Sequence, residues 1–152
     1  MQPFPHVYTV VAEGGAVDSI ELTTDGPPVI VAAAPREFGG SGDEWSPESL
    51  LVASAASCFI LTFRAVARAA KLDWMQLECA VAGTLDRKDG ASQFTKMVTR
   101  ARLTIPASTP AAAAEAALTK AERGCLVANS LRAERELHAE IVHDEPQVPA
   151  AD

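Results

Sequence analysis

The opening third of the chain alternates short apolar runs with turns rich in glycine and proline. This pattern predicts strands at residues 7–11, 20–23 and 29–32, with turns at Gly14-Gly15 and at residues 25–28. Consecutive short strands joined by brief turns pair antiparallel. We therefore expect a small meander at the start of the chain.

A long apolar segment follows, and its beginning has the signals of a helix. Ser46 can cap the helix, Pro47 suits the first helical position, and Glu48 lies where the helix dipole favours an acid. The body, residues 50–71, is apolar on nearly every side as far as Phe63. One small sheet cannot cover such a helix, and dimerisation would enclose it.

The second half of the chain predicts a hairpin, two helices and a last strand. The hairpin strands are expected at residues 75–85 and 94–105, around a turn at Asp89-Gly90. Thr109 and Pro110 repeat the cap-and-proline signal of a helix that Gly124 ends, and one or two helical turns at residues 126–131 precede a strand at 134–142. This order of antiparallel pairs and segregated helices predicts an α+β fold with an antiparallel-rich sheet and a long central helix.

Length and charge indicate a single-domain protein and argue against some classes of partner. The 152 residues fit one domain at 1–143 with a flexible C-terminal tail at 144–152. A net charge of -7 disfavours nucleic acid and anionic membranes as partners. The longest uncharged run, residues 49–63, is shorter than the roughly 20 residues of a membrane span. The first residues do not have the pattern of a secretory signal, so we expect a cytoplasmic protein.

The three cysteines are the main candidates for chemistry. They form no close C-x-x-C pair, which argues against a disulfide scaffold or a zinc site. His138 and His143 would lie on opposite faces of a strand, so no metal is expected. Cys58 alone also fits a buried core residue, whereas Cys125, after a glycine at a helix end, is open to either a structural or a reactive role. Cys79 is interpreted as a structural residue of a strand.

Several segments together resemble one family. The chain is similar to the OsmC/Ohr family of thiol peroxidases (osmotically inducible protein C and organic hydroperoxide resistance protein) over about residues 8–142. The segments that support the resemblance are Pro35-Arg36-Glu37-Phe38-Gly39-Gly40, Trp45-Ser46-Pro47-Glu48-Ser49-Leu50-Leu51, Ala55-Ala56-Ser57-Cys58-Phe59 and Cys125-Leu126-Val127-Ala128-Asn129-Ser130.

The resemblance implies an intertwined homodimer with two sites at its interface. By the family's chemistry Cys58 is the peroxidatic cysteine, which attacks an organic hydroperoxide and becomes a sulfenic acid. Cys125 is the resolving cysteine, which forms a disulfide with Cys58. An external dithiol, often lipoyl-linked, reduces that disulfide, and no cofactor is bound. The implied role is antioxidant protection under oxidative stress.

Two further residues match this pattern. Glu48 corresponds to the family's carboxylate, which orients an arginine against the reactive thiolate. Ten residues of helix rise by about 15 Å, so Glu48 would serve a Cys58 across the dimer, or else act only as a first-turn acid. The early arginine of the organic hydroperoxide resistance branch is replaced by Ala16, after Gly14-Gly15. Arg36 is the nearby candidate to take its place, or else is only a solvated loop charge.

Two hypotheses follow. The first is a cysteine-based organic hydroperoxide reductase that uses Cys58, Cys125, Glu48 and Arg36. The alternative is a noncatalytic OsmC-like dimer, associated with stress or binding an apolar ligand, whose thiols are structural. The retained cysteine pair favours the first hypothesis, and the missing early arginine favours the second.

Overall fold

The computed structural model describes residues 3–144 in two compact units, one ending at Leu51 and one beginning at Val52. Its class is α+β, as predicted, with two three-stranded sheets. The predicted single domain at 1–143 stays a prediction. Of the predicted tail at 144–152, Asp144 is instead the last residue of a strand, and residues 145–152 lie outside the described residues. The elements are β1 (Val11–Gly14), β2 (Ile20–Thr23), β3 (Ile30–Ala32), a 3-10 helix (Arg36–Phe38), α1 (Pro47–Ala70), β4 (Gln76–Lys88), β5 (Ala91–Pro106), α2 (Ala111–Gly124), α3 (Leu126–Asn129) and β6 (Glu134–Asp144).

The first unit contains the predicted meander, with β1, β2 and β3 paired antiparallel in that order. The prediction of a first strand at residues 7–11 is wrong, because β1 begins only at Val11. Gly14, predicted as a turn residue, is paired with Ile20 within the strand. A Cβ at Gly14 would overlap the Ile20 side chain, so the glycine serves this close pairing rather than a turn.

Helix α1 begins where the sequence predicts. The Ser49 backbone N–H donates to Ser46 Oγ at 3.1 Å, and the Ser46 backbone N–H donates to Ser49 Oγ at 2.8 Å. The two serines thus form a reciprocal capping box. Pro47 is the first helical residue, and the helix ends at Ala70, before Lys71 with its positive φ of 51°.

The surface of α1 is covered along a narrow stripe only. Its buried residues are Ala55, Phe59, Phe63 and Ala67, one helical turn apart from one another. Within residues 3–144, α1 is the one helix whose length and composition would allow a membrane crossing, with a mean hydropathy of 1.9 and 22% of that window buried. Core helices of soluble proteins meet the same criterion of length and composition.

The second unit is built on the predicted hairpin. β4 and β5 pair antiparallel around Asp89 and Gly90, whose φ angles of 53° and 81° are typical of a tight hairpin turn. β6 then pairs with β5 in parallel, from Lys96 opposite Glu134 onward. The sequence predicted the strand but not its direction. Helices α2 and α3 form the crossover that parallel neighbours need.

One predicted helix cap is wrong. The Thr109 hydroxyl does not cap α2 but donates to the Asp73 carbonyl at 3.1 Å, and Pro110 precedes α2 without a side-chain cap. Gly124 is the last residue of α2, as expected. The core of the second unit lies where α1 and α2 meet the sheet, and its buried residues are Phe59, Phe63, Ala67, Leu77, Ala101, Leu103, Ile105, Ala114, Ala117, Leu118 and Ala121.

Candidate active site

The second unit brings Cys58 and Cys125 together, and both thiols are free. Cys58 lies in α1, with its Sγ 3.9 Å from Thr62 Oγ1 one turn further along. The Sγ of Cys125, which directly follows α2, lies 4.0 Å from the Ala55 carbonyl oxygen. Ala55 and Thr62 lie about one helical turn on either side of Cys58. The segment holding Cys125 therefore packs on the part of α1 that holds Cys58.

A glycine permits this close approach. A Cβ added at Gly124 would lie 3.3 Å from Thr62 Cγ2, which is tighter than an ordinary van der Waals contact. The sequence predicted Gly124 only as the end of a helix. In the structure it also allows the turn after α2 to approach α1.

The surroundings of Cys58 stabilise its thiolate. Burial raises the pKa of this thiol, but hydrogen bonds to the sulfur from the Val127 backbone, the Cys125 thiol, the Thr62 hydroxyl and the Leu126 backbone outweigh burial and leave the pKa below its ordinary value. A depressed pKa increases the fraction of thiolate, which is the nucleophilic form.

The other two thiols are held in the neutral form. Burial raises the pKa of Cys125, and the neighbouring Cys58 raises it further. Burial also raises the pKa of Cys79 to about 11, with a smaller contribution from the charge of Cys125. The two cysteines that meet therefore differ in character: Cys58 is poised as an acceptor of hydrogen bonds and Cys125 as a donor.

A narrow cavity borders Cys125. Its volume is about 20 Å³, and its lining includes Ala55, Phe59, Cys125, Glu122 and Arg135. A space of this size holds about one water molecule. It is therefore too small for an organic substrate, and any such molecule has to reach Cys58 from another side.

Glu48 and Arg36 lie in the first unit. Glu48 is in the first turn of α1, and its Oε2 is buried without a hydrogen-bond partner among the described residues. The Arg36 Nε donates to the Ser41 carbonyl at 3.0 Å within its own loop. The roles predicted for both residues stay predictions.

No group of three or more His, Cys, Asp or Glu side chains within residues 3–144 is arranged to hold a metal ion. His138 Nε2 lies 2.6 Å from Glu136 Oε1 on the surface of β6. The expected absence of a metal stays a prediction.

Sequence reasoning missed the residues that support the two thiols. Thr62 had no signal beyond its spacing of four from Cys58 along a helix. The Leu126 and Val127 donors are backbone groups, which any residue type would supply. Arg135 and Glu122, which form an ion pair beside Cys125, are distant in sequence and were found only through the fold.

The fold and site define an α+β protein with two adjacent thiols of unequal acidity. The sequence model of the OsmC-like protein family matches residues 40–140, about two thirds of the chain. The chain belongs to the OsmC-like family, as its sequence resemblance predicted.

Individual relatives agree with this assignment. The uncharacterized protein YmaD of Bacillus subtilis is 22% identical over 138 residues, covering 89% of this chain and 92% of the relative. An OsmC-like protein of unknown function from Vibrio cholerae has the same fold, with a TM-score of 0.81 at 19% identity over 89% of this chain and 99% of that one. The organic hydroperoxide resistance protein OsmC from Legionella pneumophila is 28% identical, with a TM-score of 0.67, and the match covers 91% of this chain and 99% of that one.

Proposed function

We propose that the protein is a dimeric cysteine peroxidase that reduces organic hydroperoxides to alcohols. The observation that supports it most directly is that Cys125 packs on the part of α1 that holds Cys58, in surroundings that lower the pKa of the Cys58 thiol. Membership of the OsmC-like family supports a redox or peroxide-resistance role. The likeness to an organic hydroperoxide resistance protein adds the substrate class.

In the proposed reaction, the Cys58 thiolate attacks the terminal oxygen of the hydroperoxide. A sulfur–oxygen bond forms, the oxygen–oxygen bond breaks, and the alkoxide leaves. The Cys125 thiol supplies the proton that turns the alkoxide into an alcohol, and Cys58 is now a sulfenic acid. Cys125, as a thiolate, then attacks the Cys58 sulfur, which forms a disulfide and releases hydroxide that solvent protonates to water.

An external dithiol closes the cycle by thiol–disulfide exchange. Two electrons and two protons pass from the dithiol to the Cys58–Cys125 disulfide and restore both thiols. A lipoyl-linked dithiol in the cytoplasm is the proposed reductant. The raised pKa of Cys125 suits this order of events, because a neutral thiol can give up its proton only when the alkoxide forms.

The apolar substrate is proposed to lie outside the small cavity. Leu126, which directly follows Cys125, has a side chain that is 70% exposed. An exposed leucine beside a reactive thiol suits an alkyl group better than water. A second copy of the chain would complete the apolar wall of such a site.

The same second copy would complete the role of Glu48. A buried carboxylate oxygen without a hydrogen bond is costly, and a cation is its usual partner. We infer that Glu48 orients a cation once two chains assemble. Arg36 is the candidate, provided that it leaves the Ser41 carbonyl.

The test is to add cumene hydroperoxide to the reduced protein and to follow peroxide loss together with the masses of the cysteine-containing peptides. Wild-type protein should consume peroxide and form a Cys58–Cys125 disulfide. Cys58→Ser should consume none, and Cys125→Ser should stop at a sulfenic acid on Cys58. Cys79→Ser is the matched control and should retain the cycle.

If the wild-type protein consumes no peroxide and forms no such disulfide, the peroxidase proposal is wrong. The alternative, a noncatalytic OsmC-like dimer with structural thiols, would then describe the protein.

A further inference from the structure

Arg135 bridges three elements around the thiol pair and has no part in the reaction proposed above. Its Nε lies 3.2 Å from Glu122 Oε1 on α2, and its Nη1 donates to Asn129 Oδ1 at 2.7 Å. The Arg135 and Glu122 side chains are 30% and 20% exposed, so the ion pair is partly withdrawn from water. Arg135 itself belongs to β6, and it thereby ties β6 to α2 and α3.

Asn129, which accepts the hydrogen bond from Arg135, also binds the turn that begins at Cys125. Its Nδ2 donates to the Arg123 carbonyl at 3.1 Å, and its backbone N–H donates to the Cys125 carbonyl at 2.9 Å. Asn129 therefore fixes the turn at its far end while the end of α2 fixes the near end. The Leu126 and Val127 backbone groups lie between these two anchors.

The turn has little room to move independently of α1. Gly124 already approaches Thr62 tightly, and the cavity between α1 and the turn holds about one water. The charged or titratable groups lining that cavity are Cys125, Glu122 and Arg135, and Cys79 acts on Cys125 from β4. A displacement of the turn would therefore move Cys125 relative to the part of α1 that carries Cys58.

We propose that Arg135 is a positioning residue, which through Asn129 holds the 125–129 turn, and with it Cys125, against the part of α1 that carries Cys58. The inference rests on the proposed function and adds to it. The sequence has no arginine before Arg36, and Arg135 is a cation that acts through the turn rather than by touching the sulfur. Polar groups that the fold holds in place stabilise an anion without needing to reorganise.

The experiment measures the rate of Cys58 alkylation by iodoacetamide as a function of pH, with the modified residue identified by mass spectrometry. Arg135→Met and Asn129→Ala should each raise the midpoint of thiolate formation by about 1 pH unit, which makes alkylation roughly tenfold slower below the midpoint. The double variant should shift it no further, because both residues act on the same turn. Arg135→Lys, which can keep one of the two bonds, should give an intermediate midpoint.

Arg102→Met is the matched control. Arg102 forms an exposed ion pair with Glu140 at 3.5 Å on the same pair of strands, far along the sheet from the turn, and its loss should leave the midpoint unchanged. A wild-type midpoint in folded Arg135→Met overturns the proposal, as does an equal shift in Arg102→Met.

Two further outcomes are separable. If Arg135→Met does not fold, Asn129→Ala, at an exposed position, decides: an unchanged midpoint overturns the proposal and a raised one supports it. A wild-type protein that leaves cumene hydroperoxide intact contradicts the proposed function, whereas the alkylation profiles still decide the role of Arg135.

Discussion

At the scale of single residues, the site is defined by the contrast between neighbouring thiols. Cys58 accepts hydrogen bonds that lower its pKa, while burial keeps Cys125 and Cys79 protonated. Under the proposed mechanism, Cys58 is the nucleophile and Cys125 the proton donor. The proposed roles of the two cysteines thus depend on how the turn after α2, which holds Cys125, packs against Cys58 on α1.

The raised pKa of Cys79 predicts a pH-dependent stability. A thiol in the unfolded chain titrates near 8.5, whereas burial, with a smaller effect of Cys125, raises the pKa of folded Cys79 to about 11. The unfolded state therefore loses its proton first as the pH rises. The contribution of Cys79 is intact below about pH 8.5 and is lost progressively toward pH 11. Cys79→Ala should reduce the fall in the free energy of unfolding between about pH 8 and about pH 10, measured by urea denaturation.

The matched control for this prediction is Val81→Ala, a truncation two residues further along the same face of β4. It should lower stability but keep the wild-type pH dependence. Equal pH dependence in wild type and Cys79→Ala would contradict the prediction.

Part of the candidate site could be predicted from residue types, and the rest depends on backbone geometry that the sequence does not show. Cys58 and Cys125 could be selected from the sequence because thiols are few and their flanking motifs are specific. The Leu126 and Val127 N–H groups could not, since a backbone donor has no identity of its own. Arg135 was missed for a related reason, because its partners come from α2 and α3 and depend on how β6 pairs.

At the scale of elements, local signals predicted the helices and strands better than their pairing. The start of α1 at Ser46 and Pro47 and the turn at Asp89-Gly90 were both predicted from a few adjacent residues, whereas the return bond from Ser49 was not. The parallel direction of β6 is set by the crossover through α2 and α3, which no local pattern specifies. Thr109 shows the same limit, because its hydroxyl donates to the carbonyl of Asp73, 36 residues away, instead of capping α2.

The capping box predicts a stability cost at one end of α1. Ser46→Ala removes the acceptor of the Ser49 N–H at a position that is 6% exposed, and should lower the free energy of unfolding by about 1 kcal/mol. Ser57→Ala, at an exposed position of the same helix, is the control and should be neutral or slightly stabilising, because alanine favours helix. Urea denaturation of both variants measures the difference. Equal losses in the two variants would show that the cap is not the cause.

At the scale of the whole molecule, both units leave apolar surface uncovered. In the first unit Val11, Ile30 and Val31 are 58%, 41% and 42% exposed, and in the second unit Leu61 on α1 is 60% exposed. Contiguous exposed apolar surface is typical of an interaction site. The sequence anticipated this from the all-round apolar character of α1, and a second copy is the proposed cover.

The proposed dimer predicts a sedimentation mass of twice 16.0 kDa. Leu61→Glu places a charge in the proposed interface and should shift the protein toward monomer by at least tenfold in dissociation constant, measured by analytical ultracentrifugation. Ala112→Glu adds the same charge at an exposed position of α2 and should leave the mass unchanged. A wild-type monomer at tens of micromolar would contradict the dimer.

The positions of the two thiols also determine which segment of the chain a Cys58–Cys125 disulfide would close into a loop. Cys58 and Cys125 are 67 positions apart, and the loop between them contains β4, β5 and α2. Under the proposed mechanism, closing a loop of that length would restrict the unfolded chain by an entropy equivalent to about 4 kcal/mol at 25 °C. The disulfide form would then melt at a higher temperature than the dithiol form. The melting temperature of the protein would therefore rise after exposure to peroxide and fall again once the reductant had reduced the disulfide.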